Sequence, residues 1–299
     1  MAGISRRLGP ILAGILLGTA SCAPAIQTGA YPNSSLLAET GWLAQHLQDS
    51  NVRIVDVRGA NSYEEGHLPG AVYVNMGDLV DQKAPIRGML ATQSQVEALL
   101  GQAGISPATT VVVYDDNGGL WAARFFWILD YLQHKDVRIL NGSFAKWTKE
   151  GRPLNKDTPK VQTMEYKGNP LPARSVSRDG ILGKLQDPGL RLVDARTQGE
   201  YQGQDLAGNK RGGHIPGAVN IEWGRNLDQT GAWKSAQELQ KMYEAAGVTR
   251  DKEIVTYCQT GVRGAHDYFT LRLLGYPRVG LYDGSWEEWG NDTALPAEK

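Results

Sequence analysis

Cys258 is the side chain best placed to do chemistry. It lies in Thr256-Tyr257-Cys258-Gln259-Thr260-Gly261-Val262-Arg263-Gly264, between an apolar run, Ile254 to Tyr257, that reads as a buried strand and a stretch, Ala265 to Leu274, with apolar residues at helical spacing. A thiol at such a turn faces loop N–H groups that have no intrahelical partners, and it faces the positive end of a helix dipole. Together they favour the thiolate. Gly261 and Gly264 let the backbone curl, and Arg263 adds a fixed positive charge. The pattern describes a sulfur nucleophile in an anion-binding loop. A lone cysteine in a strand-rich core is more often structural, but the glycine-containing turn and the nearby arginine weigh against that reading here.

The elements that must hold this loop occur twice. Strand-like runs at Val52–Arg58, Val72–Val74, Thr110–Tyr114 and Val137–Leu140 alternate with helical patterns at Leu36–Leu47, Ser94–Gly101 and Trp121–Leu132, and a last helix runs through Trp147. This alternation predicts an α/β fold with a mainly parallel sheet covered on both faces. The second half repeats the order. Asp194-Ala195-Arg196 matches Asp56-Val57-Arg58, His214 to Ala218 matches His67 to Ala71, Tyr257-Cys258 matches Tyr114-Asp115, and Gly284-Ser285-Trp286 matches Gly142-Ser143-Phe144. A chain of 299 residues has room for two such domains. The expected organisation is an N-terminal domain over 35–150, a Pro-rich linker over 151–174 running as an extended strap, and a C-terminal domain over 175–299. The glycines of 202–213 suggest a mobile loop beside His214.

These motifs name a family. Tyr63-x3-His67-Leu68-Pro69-Gly70-Ala71-x2-Val74 and Val279-x2-Tyr282-Asp283-Gly284-Ser285-Trp286-x-Glu288-Trp289, arranged around a cysteine loop, resemble the signatures of two-domain rhodanese-like sulfurtransferases, the thiosulfate and 3-mercaptopyruvate enzymes. The resemblance covers about residues 35 to 295. It implies two tandem rhodanese-like domains, each a mainly parallel sheet flanked by helices. It also implies transfer of sulfane sulfur from thiosulfate or 3-mercaptopyruvate through a Cys258 persulfide to a thiol or cyanide acceptor. Loop N–H groups would stabilise the thiolate and the persulfide as an oxyanion hole does. Asp115 stands where the other half has Cys258 and cannot carry sulfur, so the N-terminal domain is expected to be silent and to form one wall of the C-terminal site. Asp115 and Asp116 read as a solvated, helix-capping loop rather than a metal pair.

The small anionic donor then needs cations. The resemblance places Arg196 there, against an alternative in which Arg196 is a structural ion pair with Asp194 or Glu200; Arg263, Gln259, Thr260, Gly261 and Val262 complete the expected binding set. The Cys258-to-Arg263 spacing is C-x4-R, one residue shorter than the phosphate-wrapping loop of cysteine phosphatases, and it fits a single sulfur better. Neutral Gln259 and Thr260 leave the donor open, with a lean to thiosulfate. His67 and His214, each before Pro-Gly-Ala, read as backbone braces, and His266 has no assigned place. Trp121, Trp286 and Trp289 read as core or interface residues, and Trp223 as a pocket wall.

Location is written at the start. Arg6-Arg7, the apolar run Ile11–Leu17 and Gly18-Thr19-Ala20-Ser21 before Cys22 make an export signal over 1–22, with an apolar run too short to span a membrane. It resembles a bacterial lipoprotein signal with Cys22 as the lipidated residue, followed by a flexible tether over 23–34. Thr19 departs from that pattern and keeps ordinary cleavage near Ala20 or Ala23 open. The expected place is the cell envelope of a bacterium, with the membrane touched through a lipid anchor only. A net charge near −1 gives no reason to expect nucleic acid, and no His/Cys cluster has metal-ligand spacing, so neither cofactor nor metal is expected. The competing function is an envelope-tethered binding or assembly protein without turnover; protein partners are not indicated.

Overall fold

The computed structural model describes residues 1, 3 and 30–299; the leader's apolar run, Cys22 and residues 23–29 lie outside the described residues. The first sheet is built from β1 (Leu37–Ala38), β2 (Val52–Asp56), β3 (Val72–Tyr73), β4 (Thr110–Tyr114) and β5 (Val137–Leu140), in the order β1-β5-β4-β2-β3. The second is built from β6 (Ser175–Val176), β7 (Leu190–Asp194), β8 (Val219–Asn220), β9 (Glu253–Tyr257) and β10 (Val279–Tyr282), in the order β6-β10-β9-β7-β8. Every pairing within the two sheets is parallel. Crossover helices cover both faces, so the central strands are buried on both sides and read as unbroken apolar runs such as Val111-Val112-Val113.

The N-terminal domain carries α1 (Thr40–Gln45), α2 (Ala60–Glu65), α3 (Gln93–Gln102), α4 (Leu120–Tyr131) and α5 (Ser143–Lys149). The C-terminal domain carries α6 (Arg178–Leu182), α7 (Gln198–Tyr201), α8 (Ala236–Ala245), α9 (Val262–Leu273) and α10 (Ser285–Trp289). α4 and α9 pack on each other, with Phe126 and Phe269 edge to face at 4.8 Å, and one apolar cluster runs through both domains. Residues 122–129 of α4 are all buried because the helix has a sheet on one side and α9 on the other.

The domains interlock with approximate two-fold symmetry. A 3-10 turn, Met76–Leu79, and the hairpin closed by Val80 and Leu90 reach from the N-terminal domain to the Cys258 loop; the equivalent turn, Trp223–Asn226, and the hairpin Leu227–Trp233 reach back to the Asp115 loop. The segment joining the domains runs along the N-terminal one, bonded at Asn155 to His67, at Met164 to Gly101 and at Leu171 to Tyr131.

Two expectations of mobility are corrected. The end of the tether is held against the C-terminal domain, with Asn33 bonded to Leu273 O and Arg272 O and Pro32 against Gly275. The 202–213 loop is pinned because the Arg211 guanidinium donates to three carbonyls, of Leu295, Trp289 and Asp292, and Gly203 packs directly on Gly212 and Gly213.

Candidate active site

β9 ends at Tyr257 and α9 begins at Val262, so Cys258 to Gly261 form the turn between them. Gly261 is the helix N-cap with φ +80°, a conformation that a side chain disfavours. The loop is fastened from one side by the segment after β10. The Cys258 N–H donates to Ser285 Oγ at 3.1 Å, and Trp286 N and Glu287 N donate to the carbonyls of Cys258 and Gln259, both at 2.9 Å. Cys258 itself is 1% exposed.

What the curl is built to hold can be read from its twin. There Asp115 is fully buried: its Oδ1 accepts from Asn117 N (3.0 Å) and Gly119 N (2.8 Å), its Oδ2 from Trp121 N (2.8 Å) and Ala122 N (3.1 Å), and Ser143 Oγ adds a fifth donor at 3.1 Å. Burial pushes this carboxyl up, and the four backbone N–H groups oppose it. The solvated loop expected for Asp115 is therefore corrected, while its capping of the next helix stands. In the C-terminal domain the equivalent amides belong to Gly261, Arg263 and Gly264, and none of them has a protein acceptor among the described residues. The loop is an anion cradle, filled in one domain by the protein's own carboxylate and carrying a thiol at the matching position in the other.

Arg263 leaves this loop to meet Glu200, with NH1 to Oε2 at 2.6 Å and NH2 to Oε1 at 2.8 Å. Burial alone would lower the guanidinium; Glu200, and the charge of Cys258 beside it, outweigh that and raise it. Gln259 turns to the rim, exchanging hydrogen bonds with Asn209 and donating to Glu287, which Arg87 of the N-terminal hairpin clasps with both nitrogens at 2.7 and 2.8 Å. Thr260 lies against Gly88, where an added Cβ would stand 2.8 Å from the threonine Cβ, so only glycine lets the hairpin come this close.

Of the two readings of Arg196, the structure displays the ion pair with Asp194. It is 1% exposed, its Nε and NH2 are spent on Asp194 and its NH2 also donates to Gly213 O at 2.6 Å, with the guanidinium 4.6 Å from the Trp286 ring centre. Arg58 of the other domain makes the same set with Asp56 and Gly66 O, stacked over Phe144 at 3.7 Å. The same set in both halves is a brace of the sheet edge, the ion-pair alternative with Asp194. His67 and His214 are likewise matched braces, each stacked on a tyrosine and bonded to that tyrosine's carbonyl.

A cavity of about 150 Å³ lies between the domains beside the loop, bordered by Thr260 and Val262 from the loop and by Leu79, Trp121, Arg124 and Ile128 from the N-terminal domain. Trp121, expected in the core or the interface, lies at the interface and is 38% exposed at the cavity; Trp223 sits on the opposite side of the interface, edge to face with His266 and against Gly118. A larger cavity of about 510 Å³ lies in the N-terminal domain, and no residue of 258–263 borders it. Among the described residues no group of acidic, His or Cys side chains is arranged to hold a metal ion. Sequence reasoning passed over Arg124. The signal was there, since a lone cation inside the apolar helix Leu120–Tyr131 must find a partner.

Comparison with known proteins agrees with this geometry. The family profile described as Rhodanese-like domain matches residues 39–150 and 177–292. The chain is 40% identical over 286 residues to the sulfur carrier protein TtuD of Thermus thermophilus, covering 90% of this chain and 98% of that one. It is 39% identical over 268 residues to a thiosulfate sulfurtransferase of Azotobacter vinelandii, covering 88% and 97%. Among solved structures, an anaerobic ergothioneine biosynthesis enzyme from Chlorobium limicola, in complex with trimethyl histidine, superposes with a TM-score of 0.81 at 28% identity, covering 90% of this chain and 71% of that one.

Proposed function

Because this chain belongs to the rhodanese-like family and is a sulfurtransferase, we propose that its sulfur travels on Cys258 and comes from thiosulfate. The Cys258 thiolate attacks the outer sulfur of the donor, the donor's S–S bond breaks, and sulfite departs with the bonding pair, leaving a Cys258 persulfide anion. A thiophilic acceptor such as cyanide then attacks the outer sulfur, the persulfide bond breaks, and the thiolate returns. The observation that carries this reading is the Asp115 carboxylate in its ring of amides, since the matching amides of the Cys258 loop have no protein acceptor among the described residues and would stabilise both anionic forms. The relatives named for thiosulfate support that donor over 3-mercaptopyruvate. Arg263, held by Glu200 in the first turn of α9, belongs to the loop's machinery.

The site of action is the cell envelope, with the chain exported and anchored through a lipid on Cys22. The basic start, the short apolar run and Cys22 after small residues support this. Intact mass after incubation with thiosulfate is expected to show one added sulfur that Cys258→Ser abolishes; absence of any adduct with sulfane donors would favour a binding protein. Labelling with a fatty-acid analogue should mark Cys22, and an unlabelled, freely released chain removes the anchor.

A further inference from the structure

We propose that Arg124, a residue of the silent domain, binds the anionic end of the sulfur donor in the cavity beside the Cys258 loop. The proposal rests on the reading of Cys258 as nucleophile and adds to it a charge contributed by the other domain. Arg124 projects from α4 into the interface with its side chain only 3% exposed. Its NH2 is occupied, touching Asp283 Oδ1 at 2.6 Å and donating to Gly88 O at 3.0 Å. Its NH1 is buried and has no hydrogen-bond partner. That nitrogen would be 2.8 Å from a Cβ placed on Gly261, so it lies against the backbone of the sulfur loop itself, and Arg124 is one of the residues bordering the 150 Å³ cavity. Asp283 balances the charge of Arg124, but a buried guanidinium N–H without an acceptor is unfavourable until one arrives.

The remaining walls of the cavity sharpen the point. Leu79, Val80, Trp121, Ile128 and Val262 are apolar, so an anion entering the space finds one charged donor there. The other cations at the loop are committed, Arg263 to Glu200 and Arg87 to Glu287, both through two nitrogens. Of the three, Arg124 is the one with a buried nitrogen that has no hydrogen-bond partner. A small oxyanion, sulfonate or carboxylate, can take that hydrogen bond while its sulfur is presented to the loop. The twin position is His266, whose Nε2 is satisfied by Gly118 O, and the space around it is filled by Trp223 and Trp233. The free donor therefore exists only on the side that has the thiol.

Two alkylating reagents of similar size separate this role from a structural one: iodoacetate carries the anion and iodoacetamide does not. Rates are measured on the peptide containing Cys258, beside steady-state kinetics with thiosulfate. Arg124→Gln should slow iodoacetate about ten-fold with little change for iodoacetamide, and should raise KM for thiosulfate about ten-fold with a smaller change in kcat. Arg124→Lys should restore part of both. Equal slowing of the two reagents, or an unchanged KM, overturns the proposal. Should Arg124→Gln fail to fold, the wild-type ratio of iodoacetate to iodoacetamide rates decides, since a ratio no higher than that of free cysteine sinks it. A wild-type Cys258 that neither alkylates nor gains sulfur removes the nucleophile first, and that failure is recognisable because both reagents fail together.

Discussion

The Asp115 and Cys258 loops are the same construction put to two uses. Each follows the second of two adjacent central strands, opens the helix that crosses the domain interface, and is fastened by a Gly-Ser pair after the next strand. Each is backed by an Asp-x-Arg brace at the neighbouring strand end. In the first loop a carboxylate takes up the amides for good, and the loop is covered by Trp233 stacked on His266. In the second a thiol takes the matching position, and the covering hairpin leaves a cavity. The scaffold therefore supplies an anion site by default, and chemistry depends on whether the anion is fixed or exchangeable. The silent domain has become part of the live one's wall, and its α4 contributes Trp121 and Arg124 to that wall.

The comparison breaks most readily at the two loop residues. Cys258→Ser should lower thiosulfate-to-cyanide transfer at least about a thousand-fold, the scale expected when a covalent nucleophile is lost. Asp115→Ser should leave the rate within about two-fold while lowering the melting temperature, since buried amides lose their acceptor. Comparable losses of turnover in the two variants would mean that the first loop is not silent. The braces come next. Arg196→Met should destabilise the fold by about 3–5 kcal/mol because Asp194 is left buried without its partner, and Arg58→Met should do the same through Asp56. Urea unfolding of both variants checks the symmetry. An Arg196→Met protein that unfolds like the wild type but has a raised KM for thiosulfate would return Arg196 to the donor site.

Much of this plan was legible before any coordinates. The doubled order of strands and helices, the paired Asp-x-Arg and His-x-Pro-Gly-Ala motifs and the cysteine at a strand-to-helix turn are local patterns, and local patterns carry the topology. The choice between the two readings of Arg196 was not legible, because an arginine two residues after a strand-ending aspartate looks the same whether it faces solvent or folds back; its burial and its pairing with Asp194 favour the second. For Trp121 the choice between core and interface was likewise open. Its helix is apolar throughout, so periodicity cannot mark which first-turn residue stands at a cavity mouth. The closeness of Gly88 to Thr260 and of Arg124 to Gly261 joins residues more than a hundred positions apart, and no spacing rule reaches that far.

The smallest effect is also the most specific to one half. Where α4 has Arg124 and Phe125, α9 has His266 and Asp267, both fully buried, and the two residues titrate in opposite senses. Burial holds the His266 imidazole at about 4 against an ordinary 6.5, despite its hydrogen bond with Gly118. Burial raises the Asp267 carboxyl well above its ordinary value, although Asn226 and Tyr243 bond to it. Unfolding therefore takes up a proton at His266 between pH 6.5 and about 4, which costs stability as pH falls. It releases a proton from Asp267 above pH 3.8, which costs stability as pH rises. In the wild type the two slopes oppose each other over the acid range, and each single variant exposes the other residue. Asp267→Asn should lose about 2 kcal/mol between pH 7 and pH 5, the share of the His266 shift that lies in that window. His266→Asn should instead gain stability over the same fall in pH. Denaturant unfolding at both pH values reads the difference directly. If both variants follow the wild-type slope, the pair does not carry the charge states that their burial assigns to them.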